Sequence, residues 1–379
     1  MPPTTTAPLT QVKWDDVLDT LDAQRCVLFL GSGALPAPGG GDIDTALGQW
    51  LDAANPEHPH IQVYNPDGFL LLRKQRFRRH VVANMKEFYS QPFPEAETLF
   101  SRIARLPFSM VVTLTPDNIL ARTFDVLGLD YQPDFYFRNR KAGDQFEKPS
   151  RNKPLLYNLL GNIEEPESLV LTHGDFFDYL ESVFRGNSMN AELKDELESM
   201  ERYIFLGLPY EKWYFQLLLR VLSLHSDKLK EIERLALKEF EDPRLHKIYT
   251  EEFKIEFFPA SAEEFIAELY QRCDADGMLK TLPATDPAEA AIPDPTAEQL
   301  ENLLAEAKTD EAMLHLKVFL DRRKPRSYAL ANALVVLRNR RNLLRQRELR
   351  GTIDSRDASV ENNQIVEQLL ALIAQAQTL

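Results

Sequence analysis

Five short apolar segments constrain the fold of this 379-residue chain more than any other feature of its sequence. Each is rich in Val, Ile, Leu or Phe, and helix-compatible sequence separates it from the next. The segments are Cys26–Leu30, Met110–Leu114, Leu169–Leu171, Tyr203–Leu206 and Phe253–Phe258. Because strands that are buried on both faces read as continuous apolar runs, this pattern predicts an α/β domain with a doubly wound parallel sheet.

Turns made of glycine and polar residues follow three of the predicted strands. They occupy residues 31–33 (Gly-Ser-Gly), 115–118 (Thr-Pro-Asp-Asn) and 207–209 (Gly-Leu-Pro). Ligands of open α/β sheets collect at the carboxyl ends of the strands. We therefore expect the three turns to surround one crevice.

A proline-rich segment divides the chain. Between Leu279 and Pro295, prolines interrupt a run of small and acidic residues, which is typical of a semi-extended linker. Beyond it, leucines and alanines recur at helical spacing. The predicted organisation is an α/β domain over residues 1–278, a linker over 279–295 and a helical module over 296–379.

The two predicted domains differ in charge. The chain has 44 Lys and Arg against 58 Asp and Glu, a net charge of −14. Residues 296–379 contain 13 and 11 of these, so the module is +2 and the remainder is −16. Such acidity excludes a general nucleic-acid coat, and we expect protein partners instead.

The number of cysteines and the lengths of the apolar runs indicate the cellular compartment of the protein. Cys26 and Cys273 are the only cysteines, too few and too far apart for a disulfide framework or a zinc site, and we expect no metal. The N-terminal residues lack a secretion signal, and no apolar run has the length of a membrane span. We expect a cytoplasmic protein with no membrane partner.

The turn after the first strand has two interpretations. Gly31 and Gly33 permit a positive φ and the close approach of a phosphate to the following amides, as at the start of a dinucleotide site. However, Pro36 stands where a third glycine is expected, and no P-loop lysine follows. A tight strand-to-helix turn without a ligand is the alternative.

Four ordered blocks of sequence resemble the SIR2-like (sirtuin-related) domains of prokaryotic antiviral and conflict systems. The blocks read LFLGSGA, VVTLTPDNILARTF, LLYNLLGNIEEPESLVLTHGDFFDYL and YIFLGLPYEKWYFQLLLRVL, and the similarity runs from Val17 to about Cys273. The resemblance implies a Rossmann-like core with a small helical insertion. It also implies binding of NAD, which active members hydrolyse to nicotinamide and ADP-ribose.

Carried over residue by residue, the resemblance implies the loss of both principal catalytic groups. Leu160 stands in place of the catalytic His, and Thr115 in place of the Asn that helps to place the ribose and water. Leu35 replaces the Ser of the glycine motif. Because Leu160 cannot exchange a proton, general acid–base catalysis at this position is excluded. The residues implied for NAD or ADP-ribose are Gly31, Ser32, Gly33, Thr113, Thr115, Asp117, Gly161 and Gly207.

His173 has two interpretations. Beside Asp175, it is a candidate for a relocated acid–base site. Alternatively, Thr172 begins a helix and forms a capping box with Asp175, which leaves His173 exposed. We favour the capping box.

Other residues are candidates for contacts with partners or the core. In the fourth block Lys212 stands where the family has Asp, and we expect Trp213, Tyr214 and Phe215 to pack in the core or a subunit interface. Residues 73–80 form a basic cluster around Phe77, which suits phosphates, an acidic partner or a solvated helix face. A second basic helix contains Arg338, Arg340, Arg341, Arg345, Arg347 and Arg350.

The C-terminal module resembles effector-associated domains, in particular type 11. The agreement lies in a long helix, a Gly-x-Ile turn and a final helix with Glu-x-Asn-x-Ile, at Gly351, Ile353, Glu361, Asn363 and Ile365. The resemblance implies an adaptor that recruits partners carrying the same domain.

Three hypotheses follow. The chain is a catalytically degenerate NAD or ADP-ribose sensor or scaffold that recruits an effector, an active NAD hydrolase that uses Thr115 and His173, or an assembly platform without a nucleotide, which acts through homo-oligomerisation. The retained glycines and the lost catalytic pair favour the first.

Overall fold

The structure is a computed structural model that describes residues 8–37, 40–53, 60–64, 67–91, 93–137, 147–184, 191–221, 232–283, 292–323, 327–349 and 354–377. Its centre is a seven-stranded sheet in the order β5-β6-β4-β1-β7-β8-β9, in which every neighbouring pair is parallel. The strands are β1 Cys26–Leu30, β2 Ile61–Tyr64, β3 Leu70–Leu72, β4 Met110–Thr113, β5 Gln132–Phe135, β6 Leu155–Asn158, β7 Arg202–Leu206, β8 Glu233–Leu237 and β9 Ile255–Phe258. Strands β2 and β3 form a separate antiparallel hairpin. The predicted α/β fold is confirmed.

Helices cover the sheet and form the C-terminal module. Those of the α/β domain are α1 Trp14–Asp22, α2 Ile43–Ala53, α3 Arg78–Tyr89, α4 Pro94–Arg105, α5 Ile119–Leu127, α6 His173–Phe184, α7 Ala191–Glu198, α8 Trp213–Val221, α9 Pro243–Glu252 and α10 Ala262–Ala275. Those of the module are α11 Ala297–Ala305, α12 Thr309–Asp321, α13 Tyr328–Leu349 and α14 Ser355–Ala376. Within the described residues, no helix is both long and apolar enough to span a bilayer.

Strand β1 explains why both faces of the sheet are covered. It lies between β4 and β7, and all five of its residues are buried. Cys26, Leu28 and Leu30 face one apolar cluster, whereas Val27 and Phe29 face the other. Alternate residues of a strand point to opposite faces, so a strand without polar positions requires a layer on each side.

One predicted strand is absent from the sheet. Leu169–Leu171 is buried at Leu169 and Leu171, but its backbone pairs outside the sheet: the Val170 amide donates to the Leu160 carbonyl at 3.0 Å, and the Leu171 carbonyl accepts from the Leu70 amide at 2.8 Å. Strand β6 occupies the position beside β4 instead. The prediction of a strand at 169–171 is therefore wrong, because this buried segment supports the β2–β3 hairpin.

The first part of the predicted linker packs on the α/β domain. Lys280 is buried, and its Nζ donates to the carbonyls of Ala104 and Leu106 at 3.1 and 2.6 Å. A Cβ on Gly128, at the end of α5, would lie 2.9 Å from Pro283. Residues up to Pro283 thus follow the surface of α4 and α5. Pro287 lies outside the described residues.

The C-terminal module has its own apolar core. Its buried side chains come from all the described helices of the module: Leu300 of α11, Ala312, Leu316 and Leu320 of α12, Leu334 of α13, and Ile365, Leu369 and Ala376 of α14. One residue of the α/β domain, Val126 of α5, belongs to the same cluster. Helix α13 packs against α5, and the two domains therefore meet at this helix.

Three arginines of the second basic helix form ion pairs with other helices of the module. Arg341 and Arg345 of α13 both pair with Asp310 of α12, Arg341 at 2.7 Å. Arg340 lies 3.5 Å from Glu361 of α14. Exposed ion pairs contribute little stability, but this group fixes the relative position of three helices. Arg350, Gly351 and Ile353 lie outside the described residues.

Candidate functional site

A cavity of about 1050 Å³ lies at the carboxyl ends of the central strands. All three predicted turns contribute to its wall, through Ser32 and Gly33, through Thr115 and Pro116, and through residues 207–209. Helices α2 and α3 and the β2–β3 hairpin supply further wall residues. The crevice predicted at the strand ends is therefore present.

Glycines hold two of these turns together. The Gly31 amide donates to the Leu206 carbonyl at 2.9 Å, and the Gly33 amide donates to the Gly207 carbonyl at 3.0 Å. A Cβ on Gly31 would lie 2.2 Å from the Gly207 carbonyl oxygen. A Cβ on Gly207, where φ is +62°, would lie 1.9 Å from the Ala34 amide nitrogen. Close packing of backbone on backbone explains all three glycines.

The same contacts occupy the amides of the glycine turn. Beyond the bonds of Gly31 and Gly33, the Ala34 amide donates to the Gly31 carbonyl at 3.1 Å and the Leu35 amide to the Ser32 carbonyl at 3.0 Å. A phosphate at a strand-to-helix turn is held by free amides. Four of the amides here already have partners within the protein.

Asn158, which sequence reasoning missed, organises the second turn. Its Nδ2 lies 3.0 Å from the Thr113 hydroxyl and donates to the carbonyls of Thr115 and Asp117, also at 3.0 Å. The Asp117 carboxylate accepts from the Ile119 amide at 2.9 Å and so starts α5. Of the three family-matched residues, Thr115 alone lines the cavity, while Thr113 and Asp117 shape the turn.

Leu160, which the sequence resemblance aligns with the catalytic His of the family, presents hydrocarbon to the cavity. The next residue, Gly161, has φ of +92°, and a Cβ there would lie 2.2 Å from the Ser168 carbonyl oxygen. Gly161 therefore has a packing role and does not line the cavity. Among the described residues, no histidine lines it.

His173 lies at the start of α6, where the capping box is formed. The Asp175 amide donates to the Thr172 hydroxyl at 3.1 Å, and the Thr172 amide donates to the Asp175 carboxylate at 3.0 Å. Asp175 also pairs with Arg78 of the first basic cluster at 2.7 Å. His173 is thus not paired with Asp175, and its ring is partly exposed.

Asp67 is the actual partner of His173. Its Oδ2 lies 2.8 Å from His173 Nε2 and accepts from Trp213 Nε1 at 2.7 Å. Burial acts to raise the pKa of Asp67, but hydrogen bonds from His173, Trp213 and the Phe69 amide outweigh it and hold the pKa below its usual value. Asp67 lines the cavity, whereas His173 stands behind it. Phe215 is buried, Tyr214 lines the cavity, and Trp213 is 46% exposed.

Carboxylates dominate the charge of the cavity wall. The wall contains Asp42, Asp44, Asp52, Asp67, Glu211, Glu239 and Glu263, against Lys212 and Lys238. Sequence reasoning missed them because they come from five separate segments without a shared motif. The only local signal is the pair at 42 and 44, directly before and within the first turn of α2.

Asp44 lies beside the glycine turn. Its Oδ2 accepts from the Ser32 hydroxyl at 2.9 Å. Burial raises the pKa of this carboxyl, the Ser32 hydrogen bond opposes the rise, and the charge of Asp42 adds to it. Lys212 lies close enough to Asp44 to act on the same carboxyl, and Lys238 pairs with Glu211 at 2.7 Å.

These residues do not fit the pyrophosphate of NAD, the cofactor that the sequence resemblance implies. Four of the five amides of residues 31–35, those of Gly31, Gly33, Ala34 and Leu35, are bonded within the protein, and the lysines of the wall lie beside carboxylates. The volume of the cavity, its hydroxyl groups and its aromatic rings do suit a ligand of nucleoside size. Across the described residues, no group of three His, Cys, Asp or Glu side chains could hold a metal ion.

Models of two known families match separate parts of the chain. The model of the SIR2-like domain matches residues 109–257, which contain strands β4 to β8 and all but the last residue of β9. The model of effector-associated domain 11 matches residues 295–377, the helical module. No curated protein matches the sequence. Domains of these two kinds together indicate a conflict-system protein. The two matches confirm the architecture that the sequence predicted, a SIR2-like domain followed by an effector-associated domain 11.

Proposed function

We propose that this chain is a non-catalytic sensor and scaffold subunit of a conflict system, in which the SIR2-like domain receives a small ligand and the C-terminal domain recruits a protein partner. The observation that carries the proposal is the wall of the cavity. Leu160 and Thr115 both line it, at the two positions where active relatives carry His and Asn. The domain therefore has a large cavity, but a hydrocarbon side chain stands where active relatives have their acid–base group.

The position of His173 argues against a relocated active site. Its Nε2 is directed to Asp67 and not into the cavity, and its ring packs against Phe69 and Trp213. A general base must come within hydrogen-bond reach of the proton that it removes. In the present arrangement Asp67 separates His173 from a ligand.

A pure assembly platform is the second candidate. The bonded amides of the glycine turn favour it, because packing explains both Gly31 and Gly33. The cavity favours the sensor, since a domain that serves only as a platform has no need of an accessible space of about 1050 Å³. Both candidates share the cytoplasmic location and the recruiting role of the module.

Nicotinamide release tests the loss of catalysis. Full-length protein is incubated with NAD, alone and with a partner that carries effector-associated domain 11, and we expect no release above the buffer rate. His173→Ala serves as the matched variant and should behave like the parent protein. Turnover in the parent protein that His173→Ala abolishes would overturn the proposal.

Recruitment is tested on the surface of the module. Val360 and Leu370 of α14 are 53% and 38% exposed, so Val360→Glu and Leu370→Glu should not disturb the fold. We expect at least one of them to weaken capture of the partner tenfold or more, because a charge disrupts an apolar contact. Leu71→Glu, at an exposed position of β3, is the control. Equal capture by all variants, and by a chain lacking residues 296–379, would contradict recruitment by this domain.

A further inference from the structure

We infer that the cavity takes a nucleoside-like ligand without a phosphate chain, uncharged or cationic, rather than NAD or ADP-ribose. The inference deepens the proposed function and rests on it, since it names the ligand class of the same cavity. Three independent features of the wall carry it: the hydrogen bonds of the glycine turn, the sign of the surrounding charge and the placement of rings and hydroxyl groups.

The glycine turn has few donors left for a phosphate chain. The Gly31 and Gly33 amides are bonded to the turn after β7, and the Ala34 and Leu35 amides close the turn itself. A pyrophosphate at this position would need several of these bonds to break. Because the Gly207 backbone packs against Gly33 and Ala34, the turn cannot open without moving the end of β7.

The charge of the wall repels anions. Seven carboxylates face two lysines among the described wall residues, and each lysine lies beside a carboxylate. Charges that line a cleft with low-dielectric walls focus the field into it. A ligand with two phosphates therefore enters against this field, whereas a cation enters with it.

The rings and carboxylates of the wall suit a sugar and a base. Asp44 accepts from Ser32 through Oδ2 and can accept a further hydrogen bond at Oδ1. Asp42 is held by the amide and the hydroxyl of Thr45, at 2.8 and 2.7 Å. Carboxylates fixed in this way accept hydrogen bonds from ribose hydroxyl groups. Tyr64, Tyr89, Tyr214 and Phe69 supply ring faces and edges for a base.

A series of ligands with decreasing charge tests the inference. Calorimetry on the full-length protein at low salt compares nicotinamide riboside, which is a cation, adenosine, which is neutral, NAD, and ADP-ribose, which carries the largest negative charge. We expect affinity to fall in that order, with nicotinamide riboside at least tenfold tighter than ADP-ribose. The difference should narrow at high salt, because ions screen the wall charges.

Two double variants, one in the wall and one outside it, test the role of the wall charge. Asp42→Asn with Asp44→Asn keeps the shape of the wall and removes two charges. The double variant should therefore reduce the ratio of the affinities for nicotinamide riboside and ADP-ribose by several fold. Asp15→Asn with Asp16→Asn, in the first turn of α1, neutralises two carboxylates outside the cavity and should leave the series unchanged.

Three results would overturn the inference. They are tightest binding of ADP-ribose or NAD, an affinity series that the Asp42/Asp44 variant does not change, and no binding of either nicotinamide riboside or adenosine. Failure of the proposed function is read separately. Tight binding of ADP-ribose without release of nicotinamide from NAD would contradict the proposed ligand class but not the non-catalytic sensor. Turnover of NAD would contradict the sensor, whatever the order of the affinities.

Discussion

Gly207 determines the shape of the cavity wall at the end of β7. Its φ of +62° lies in the left-handed region, and a side chain there would overlap the backbone of Gly33 and Ala34. We expect Gly207→Ala to lower the free energy of unfolding by more than the 1–3 kcal/mol, roughly, that a left-handed non-glycine residue costs. Urea unfolding followed by intrinsic fluorescence measures the change.

Gly277 provides the matched control for that substitution. Its φ of +67° is similar, but a Cβ there would meet nothing within 4 Å. Gly277→Ala should therefore show the backbone cost alone. If the two variants lose equal stability, the close approach of the two turns does not limit the fold.

We expect Glu97 to make the stability of the α/β domain depend on pH. Burial, assisted by the charge of Glu95, raises the pKa of Glu97 to about 7 from 4.5. Between these two values the folded state holds more protons than the unfolded state, so stability should fall as pH rises through this window. Because the side chain is only partly buried, we expect a loss on the order of 1–2 kcal/mol.

Glu97→Gln tests this expectation, because the amide keeps the shape and cannot titrate. Its free energy of unfolding should vary less with pH than that of the parent protein between about pH 4.5 and 7. An unchanged pH dependence in the variant would place the titration elsewhere.

Residues with a local role were the most predictable from the sequence. The Thr172–Asp175 capping box follows from residue types at fixed spacing, and the glycines at 31 and 33 follow from their position after a strand. Asn158 and the cavity carboxylates could not be predicted in this way. Their partners come from distant segments, and single-sequence patterns contain no information about which segments the topology brings together.

At the scale of elements, four of the seven strands of the main sheet were predictable from their apolar sequence, and β5, β6 and β8 were not. Strands β1, β4, β7 and β9 coincide with predicted apolar runs, with ends that differ by a residue or two. Strand β8 was missed because the sequence around ERLAL has helical spacing, and its burial between β7 and β9 overrides that local preference. Strand β5, with sequence QPDF, is tolerated at the sheet edge because an edge strand can contain proline.

Helix α5 connects the cavity with the C-terminal module, the two parts of the molecule on which the proposed function depends. It starts at the Asp117 carboxylate, directly after the cavity residues Thr115 and Pro116. Val126, in its last turn, belongs to the apolar core of the module. The wall of the cavity and the docking of the module therefore share one rigid element.

At the scale of the whole molecule, Val126 should control the docking of the module. Val126→Ala removes two methyl groups from a buried contact, which we expect to weaken docking by about 1–2 kcal/mol. Hydrogen exchange of the α13 amides should then become faster. The comparison variant is Val82→Ala in α3, which removes the same buried groups from the α/β domain alone. Equal exchange of α13 in the two variants would show that Val126 does not hold the module.

The central position of β1 has a consequence for synthesis on the ribosome. Its first neighbour, β4, is complete at residue 113, but its other neighbour, β7, is complete only at residue 206. At roughly 5–20 residues per second, several seconds or more separate the appearance of the two neighbours. During that time one edge of an apolar strand remains open to other chains. The nascent chain should therefore depend on chaperones until β7 emerges, although the finished sheet buries that edge completely.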